Sequence, residues 1–194
     1  VSITVSDGEY VDTGDFILSV VAVNDPPELA FITDQTVDED QTALLTLSAT
    51  DPEDDALVFA ASVDGNASVV VDGAELSITP NLDFNGNITV TIIVSDGELS
   101  DELSYTLTVN PVNDAPEIAE LSDAEVIEGD EFNLTLDALD VDGDDLFFSA
   151  TVDENAVAYV IEDELTVIPA PYYSGDITVS VVVVDGILSA EESF

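Results

Sequence analysis

The sequence predicts an all-β chain of tandem β-sandwiches. Three observations carry this: an internal repeat without gaps, strict two-residue alternation of apolar side chains, and turn residues between the alternating runs. The repeat comes first. Asn24-Asp25-Pro26-Pro27-Glu28 recurs as Asn113-Asp114-Ala115-Pro116-Glu117, an offset of 113 − 24 = 89. Ser6-Asp7-Gly8 recurs as Ser95-Asp96-Gly97 and, with Val184 in place of Ser, as Val184-Asp185-Gly186, again 89 apart. Glu39 matches Glu128, Asp51 matches Asp140, Pro80 matches Pro169, Phe84 matches Tyr173 and Gly86 matches Gly175. One repeat spans 24–112. The next spans 113–194 and stops within its last strand, while residues 1–23 align with 90–112, the last two strands of a preceding repeat.

Within a repeat, Ile88, Val90, Ile92 and Val94 alternate with Thr89, Thr91, Ile93 and Ser95. Leu103, Tyr105, Leu107 and Val109 alternate with polar neighbours in the same way. Such runs, rich in Val, Ile and Thr, read as half-buried antiparallel strands. Turn chemistry falls between them, at Pro52-Glu53-Asp54-Asp55, Asp64-Gly65, Asp72-Gly73, Asn85-Gly86 and Asp96-Gly97. The expected strands are 29–37, 43–49, 56–62, 68–71, 75–79, 88–95 and 102–109. Seven short strands in fewer than 100 residues predict an immunoglobulin-like Greek-key β-sandwich, with successive sandwiches joined end to end. Phe84 and Tyr173 read as core plugs near a corner. Because the chain starts and stops inside repeats, two readings stand. The preferred one is a window from a much longer repeat protein. The other has the N-terminal hairpin completing the unfinished sandwich of a neighbouring, identical chain.

Composition restricts function. The 194 residues contain 44 Asp and Glu and no Lys, Arg or His, a formal charge of −44. Hydrophobic residues nevertheless make up 46%, enough for a core and too many for a disordered acidic chain. No carboxylate has a basic side chain to pair with, and self-repulsion on this scale opposes compaction, so cations are expected to belong to the folded structure. Nucleic acid and anionic membranes are implausible partners, since binding either draws on Lys and Arg. Cysteine is absent, which removes disulfides and thiolate metal sites. No signal peptide and no bilayer-length apolar run is visible. Catalysis is not expected: serine triads need His or Lys, and carboxylate pairs of the glycosidase kind would have no helping group here. Three Asn-x-Ser/Thr triplets, at Asn66, Asn87 and Asn133, read as accidents of composition, Asn66 being the best placed for a glycan.

Strand order places the acidic loops. Asn24, Asp25, Asp51, Glu53, Asp54, Asp55 and Asp96 fall at the end where a repeat begins. Glu39, Asp40, Asp64, Asp83, Asn110, Asn113 and Asp114 fall where it finishes. Stacked repeats would bring the second group against Asp140, Asp142, Asp144 and Asp185 of the next. Calcium suits such a set, because it takes 6–8 oxygen ligands in a flexible shell; magnesium is the second choice, and zinc and copper lack their His or Cys. Glu98, Asp101, Glu162 and Glu164 read as simple surface charge.

The motifs Val-Asn-Asp-Ala-Pro-Glu at 112–117, Ala-Thr-Asp-Pro-Glu-Asp-Asp at 49–55, Pro-Asn-Leu-Asp-Phe-Asn-Gly at 80–86 and Val-Ser-Asp-Gly at 94–97 occur in a fixed order. In that order the chain resembles the bacterial cadherin-like domains of large secreted and surface proteins, over its whole length. The resemblance implies calcium between successive domains. Its ligands would be Glu39 and Glu128 after the first strand, Asp51 with Glu53 and Asp140 with Asp142 in the acidic loop, Asp96 and Asp185 after the sixth strand, and Asn24-Asp25 and Asn113-Asp114 with Asn110 in the linkers. Animal cadherins carry a further linker aspartate where this chain has Pro111, and their mid-domain Asp-Arg-Glu has no counterpart. One or two ions per junction are therefore expected instead of three. The function expected is a calcium-rigidified repeat of an extracellular fibre, stalk or surface adhesin, whose partners are neighbouring repeats of the same or an identical chain, up to a homopolymeric filament. Two alternatives stand beside it. One is direct adhesion to a surface or polysaccharide, with Tyr10, Phe147 and Tyr172 as candidate contacts. The other is an acidic halophilic spacer without specific metal sites.

Overall fold

The alternating runs become strands. The structure, a computed structural model describing residues 1–194, contains no helix, and thus none long and apolar enough to cross a membrane. Its backbone divides into two compact units, Val1–Val109 and Asn110–Phe194.

The first unit opens with a hairpin of β1 (Ser2–Ser6) and β2 (Val11–Asp15), every residue of which is exposed. The sandwich follows: β3 (Glu28–Leu29), β4 (Gln35–Asp38), β5 (Ala43–Thr46), β6 (Ala49–Thr50), β7 (Val58–Val63), β8 (Ala67–Asp72), β9 (Glu75–Pro80), β10 (Gly86–Ser95) and β11 (Ser100–Asn110). One sheet has the order β4-β11-β10-β7. The other has β5-β9-β8, with a short β3-β6 ladder beside them. Alternation puts Ile88, Val90, Ile92 and Val94 of β10 inside. There they meet Leu76 and Ile78 of β9 and Tyr105, Leu107 and Val109 of β11. Phe84 packs against this core, and its ring lies where a side chain on residue 86 would project, which is why Gly86 stands there at φ +135°.

Two expected strands differ from those observed. The runs 29–37 and 43–49 are each broken in two. The first half of the former pairs with β6, and its second half joins β11 in a different sheet. A strand that changes sheets must interrupt its ladder. The hydrogen bonds Ala30 N–H to Ser48 O (2.8 Å) and Leu47 N–H to Ala74 O (2.7 Å) bridge the breaks.

The second unit repeats this plan with β12 (Glu117–Ile118), β13 (Phe132–Thr135), β14 (Ala138–Leu139), β15 (Phe147–Val152), β16 (Ala156–Ile161), β17 (Glu164–Pro169), β18 (Val179–Val184) and β19 (Ser189–Ser193). Its sheets are β13-β17-β16 and β15-β18-β19, with a β12-β14 ladder. Leu136, Leu165, Val167, Val179 and Val181 form its core.

Candidate metal centre

The loops at the starting end of each repeat converge through hydrogen bonds, three of which recur in both units. In the second unit, the Asn113 side-chain amide donates to Asp185 Oδ2 (2.8 Å) and to the Asp114 carbonyl (2.9 Å). Asp114 N–H donates to Asp142 Oδ2 (2.8 Å), and Asp144 N–H to Asp140 Oδ1 (3.1 Å). In the first unit, Asn24 donates to Asp96 Oδ2 (2.9 Å) and Asp25 N–H to Glu53 Oε2 (3.2 Å). There Asp51 Oδ1 accepts from Glu53 N–H (2.9 Å) and Asp55 N–H (3.1 Å). Two independent stretches of sequence thus build the same acidic cradle.

Each residue has a local reason for its place. Asp96 and Asp185 begin tight hairpin turns. Asp96 Oδ1 accepts from the Glu98 and Leu99 N–H groups (both 2.7 Å), and Asp185 Oδ1 from Ile187 (2.6 Å) and Leu188 (2.7 Å). Gly97 and Gly186 supply the positive φ the turn needs, at +103° and +105°. These donors stabilise the anions. Leu99 N–H, then Glu98 N–H and the Asn24 amide, hold the Asp96 carboxyl below its ordinary value; for Asp185, the Asn113 amide leads, followed by Ile187 N–H. Asp144 moves the other way, raised by loss of water and then by the charges of Asp140, Asp142, Asp185 and Asp145. Four carboxylates around a fifth, with no positive side chain in the sequence, make a site short of cations.

The oxygen atoms left over show where a cation could sit. Asp51 Oδ2 and Asp140 Oδ2 are buried and have no hydrogen-bond partner, and these two residues are equivalent in the repeat. Asp140 as a whole is only 9% exposed. In each case Oδ1 ties the loop and Oδ2 is left bare. Burial of an unpaired carboxylate oxygen is costly, and a bound cation relieves that cost. The donors here are all oxygen, which fits calcium or magnesium and no softer metal.

At the far end of the first sandwich, Glu39 is 3% exposed and accepts from the Asn85 side chain (3.5 Å), while Asp40 Oδ1 accepts from Asp83 N–H (3.4 Å). Asn110 closes β11 and is half-buried. Glu128, the counterpart of Glu39, is exposed and lies outside any strand. Its repeat has Ser174 where the first has Asn85, so the amide that meets Glu39 has no equivalent.

Sequence reading underrated some acids. Asp101 is not simple surface charge: its Oδ2 accepts the Leu29 N–H (2.9 Å) and fastens the first strand. Glu164 accepts from Thr135 Oγ1 across the sheet (2.7 Å). Asp34 Oδ1 accepts from Thr106 N–H (2.9 Å). No motif marks these residues, because each answers a donor distant in sequence, a backbone N–H for Asp101 and Asp34 and a threonine hydroxyl for Glu164.

A family model described as a bacterial Ig domain matches residues 24–110 and again 113–191. Comparison with curated protein sequences gives no match. Among solved structures, the chain is similar to human protocadherin-24 EC1-2 (17% identity over 88% of this chain and 95% of that one, TM-score 0.54). It is also similar to mouse protocadherin-24 EC1-3 (14%, 100% and 76%, TM-score 0.54). An endo-fucoidan hydrolase of glycoside hydrolase family 107 aligns with the whole chain at 20% identity and TM-score 0.38, and the chain spans about a third of that protein's length. At these identities the protocadherin likeness speaks for the fold, an all-β sandwich repeated in tandem.

Proposed function

The chain belongs to the bacterial Ig-domain family, in two tandem copies, and from that premise we propose that it is a structural repeat of an extracellular fibre, stalk or surface adhesin, stiffened by calcium between repeats. Domains of this kind are typically non-enzymatic and usually occur in extracellular or surface proteins. The repeat units are 24–112 and 113–194. The ligands proposed for the junction between them are Glu39, Asn110, Asn113, Asp114, Asp140, Asp142 and Asp185. Asn24, Asp25, Asp51, Glu53 and Asp96 would serve the junction preceding residue 24, and Glu128 the one that follows the second repeat. No catalytic residue is assigned.

One observation supports this above the others: the same buried, unpartnered Oδ2 in Asp51 and Asp140. A halophilic surface without specific sites needs no buried bare oxygen, and least of all the same one twice. Calcium would supply the missing positive charge, and the Oδ1 hydrogen bonds hold each carboxylate in place before the ion arrives. Extracellular calcium modules bind at about 10⁻⁴–10⁻³ M, so the sites would fill outside a cell and stay empty in the cytosol.

The test is thermal unfolding and small-angle scattering in millimolar calcium and after EDTA. Calcium is expected to raise the melting temperature and to narrow the distribution of inter-repeat orientations. If neither changes on chelation, the acidic loops are solvated surface and the reading fails.

A further inference from the structure

One reactive pair of residues distinguishes the two repeats. The chain has nine asparagines, and only Asn85 is followed by glycine. Its counterpart in the second repeat is Ser174, which also precedes a glycine, Gly175. An asparagine can be consumed by its own backbone. The amide nitrogen of the next residue attacks the side-chain Cγ and closes a five-membered ring. A side chain on that next residue crowds the attack, and glycine has none. Serine has no side-chain amide and cannot react in this way.

The fold leaves this pair open to the reaction. Asn85 lies outside any strand, Gly86 is the first residue of β10, and both are exposed. Gly86 faces Val109 in the last pair of the β10–β11 ladder, so only that pair must part for the peptide to turn, and ladder ends open readily. Beside Asn85 stands Glu39, 3% exposed, whose Oε2 accepts from the Asn85 amide at 3.5 Å. Asp40 and Asp83 lie in the adjoining loops, joined by the Asp83 N–H to Asp40 Oδ1. A carboxylate formed at position 85 would face a buried carboxylate, with no basic side chain anywhere in the sequence to answer it.

We propose that Asn85 is a site of spontaneous deamidation, present in the first repeat and absent from the second. The Gly86 nitrogen bonds to Asn85 Cγ and loses its proton to solvent, and the side-chain amide leaves as ammonia. Water then opens the resulting succinimide at either carbonyl. One opening gives an aspartate at position 85. The other gives an isoaspartate, whose backbone runs through Cγ and is one atom longer. In sum, one water is taken up and one ammonia released, with no oxidant or reductant. Both products replace an amide that donates to Glu39 with a carboxylate that repels it. The isoaspartate also lengthens the chain between Phe84 and Gly86, where the Phe84 ring comes within 3.3 Å of the place a Cβ on Gly86 would take. The change accumulates with time. It loosens the corner that holds the Phe84 plug in the first repeat and leaves the second repeat as it was.

The experiment ages the folded 194-residue chain in EDTA at mildly alkaline pH. Anion-exchange chromatography and tandem mass spectrometry of peptic peptides follow it, since trypsin has no Lys or Arg to cut at. The expected result is a new species of higher negative charge, with the change confined to Asn85, ammonia released in equal amount and the peptide containing Ser174 unaltered. The Asn85→Ser chain, which carries the residue of the second repeat, is expected to give no such species. Conversion that occurs only after unfolding in urea overturns the proposal, as does equal conversion at the other asparagines. The consequence is read on Asn85→Asp, which has the charge of the product without ageing. In EDTA its first repeat is expected to lose hydrogen-exchange protection around Phe84 and β10, and Asn85→Asp/Glu39→Gln to regain it, with the second repeat unchanged in both. Protection equal to that of the unaltered chain overturns the loosening. Because calcium is absent throughout, the calcium reading would survive any of these outcomes.

Discussion

The two repeats agree at one end and differ at the other. At the starting end, Asn24, Asp25, Asp51, Glu53 and Asp96 share three hydrogen bonds with Asn113, Asp114, Asp140, Asp142 and Asp185, although the neighbouring residues vary. At the far end, the first repeat has a complete four-stranded sheet, a buried Glu39 and its Asn85 partner. The second has a three-stranded sheet and an exposed Glu128. The acidic cradle therefore does not need a complete sandwich behind it. It is held by its own loop hydrogen bonds, and those are local to the starting end. The far end of the first repeat is held by the β10–β11 ladder.

The largest effect that could break this comparison comes from the cores. Leu76 and Leu165 are equivalent and both fully buried. Replacing either with Ala should cost about 2–5 kcal/mol. Leu165→Ala is expected to lower protection in residues 110–194 and Leu76→Ala in residues 24–109, each leaving the other repeat unchanged. Hydrogen exchange read on peptic peptides separates the two. Protection lost in both repeats from a single substitution would show that they unfold as one unit.

Next come Asp51→Asn and Asp140→Asn. Each keeps an oxygen for the loop N–H groups and removes the charge from the bare Oδ2. Calcium affinity measured by calorimetry should fall at least tenfold, about 1.4 kcal/mol, with no loss of stability in EDTA. An unchanged affinity would show that Oδ2 is not a ligand. Smaller again is the effect of Asn24→Ala and Asn113→Ala, which remove the amide from Asp96 and Asp185. About 1 kcal/mol is expected from each, and denaturant midpoints should show the same loss in both repeats if the cradle is built alike.

The smallest effect concerns Asp7, whose turn repeats that of Asp96 outside any sandwich. Tyr10 N–H, and then Glu9 N–H, hold its carboxyl below the ordinary 3.8. A lowered folded value means that the ionised side chain stabilises the turn above about pH 3.8, and that this contribution is lost as pH falls through the lower value. Carboxyl NMR titration should give the depressed midpoint, and Asp7→Asn should abolish the pH dependence of the Tyr10 amide shift.

How far the sequence could be read follows from what each feature depends on. The 89-residue register, the inward faces of β10 and β11 and the plug at Phe84 were legible, since alternation and turn chemistry are local. The breaks in the first two strands were not. Whether residues 29–37 keep to one sheet depends on Thr50 and on β11, far away in the chain, and Phe31 and Ile32 give no sign of an interruption. The starting-end acids stood out because both copies carry them. Asp101 did not, since its partner is a backbone N–H 72 residues away and its counterpart in the next repeat is Ala190. The unequal environments of Glu39 and Glu128 accompany the exchange of Asn85 for Ser174, which a match of acidic positions passes over.

The Asp-Gly turn between β10 and β11 has a consequence for how the chain folds. Repeats in strict register offer each other's strands as near-equivalent partners, and exchange between neighbours is a recurrent way for repeat proteins to misfold. A hairpin closes in about 1–10 μs, whereas pairing with a strand 89 residues away must first close a long loop. By fastening the turn with its own carboxylate, Asp96 lets β10 find β11 before β18 comes within reach, and Asp185 does the same for β18 and β19. The residue that gathers the acidic loops thus also acts early in folding, keeping the strands of each repeat at home.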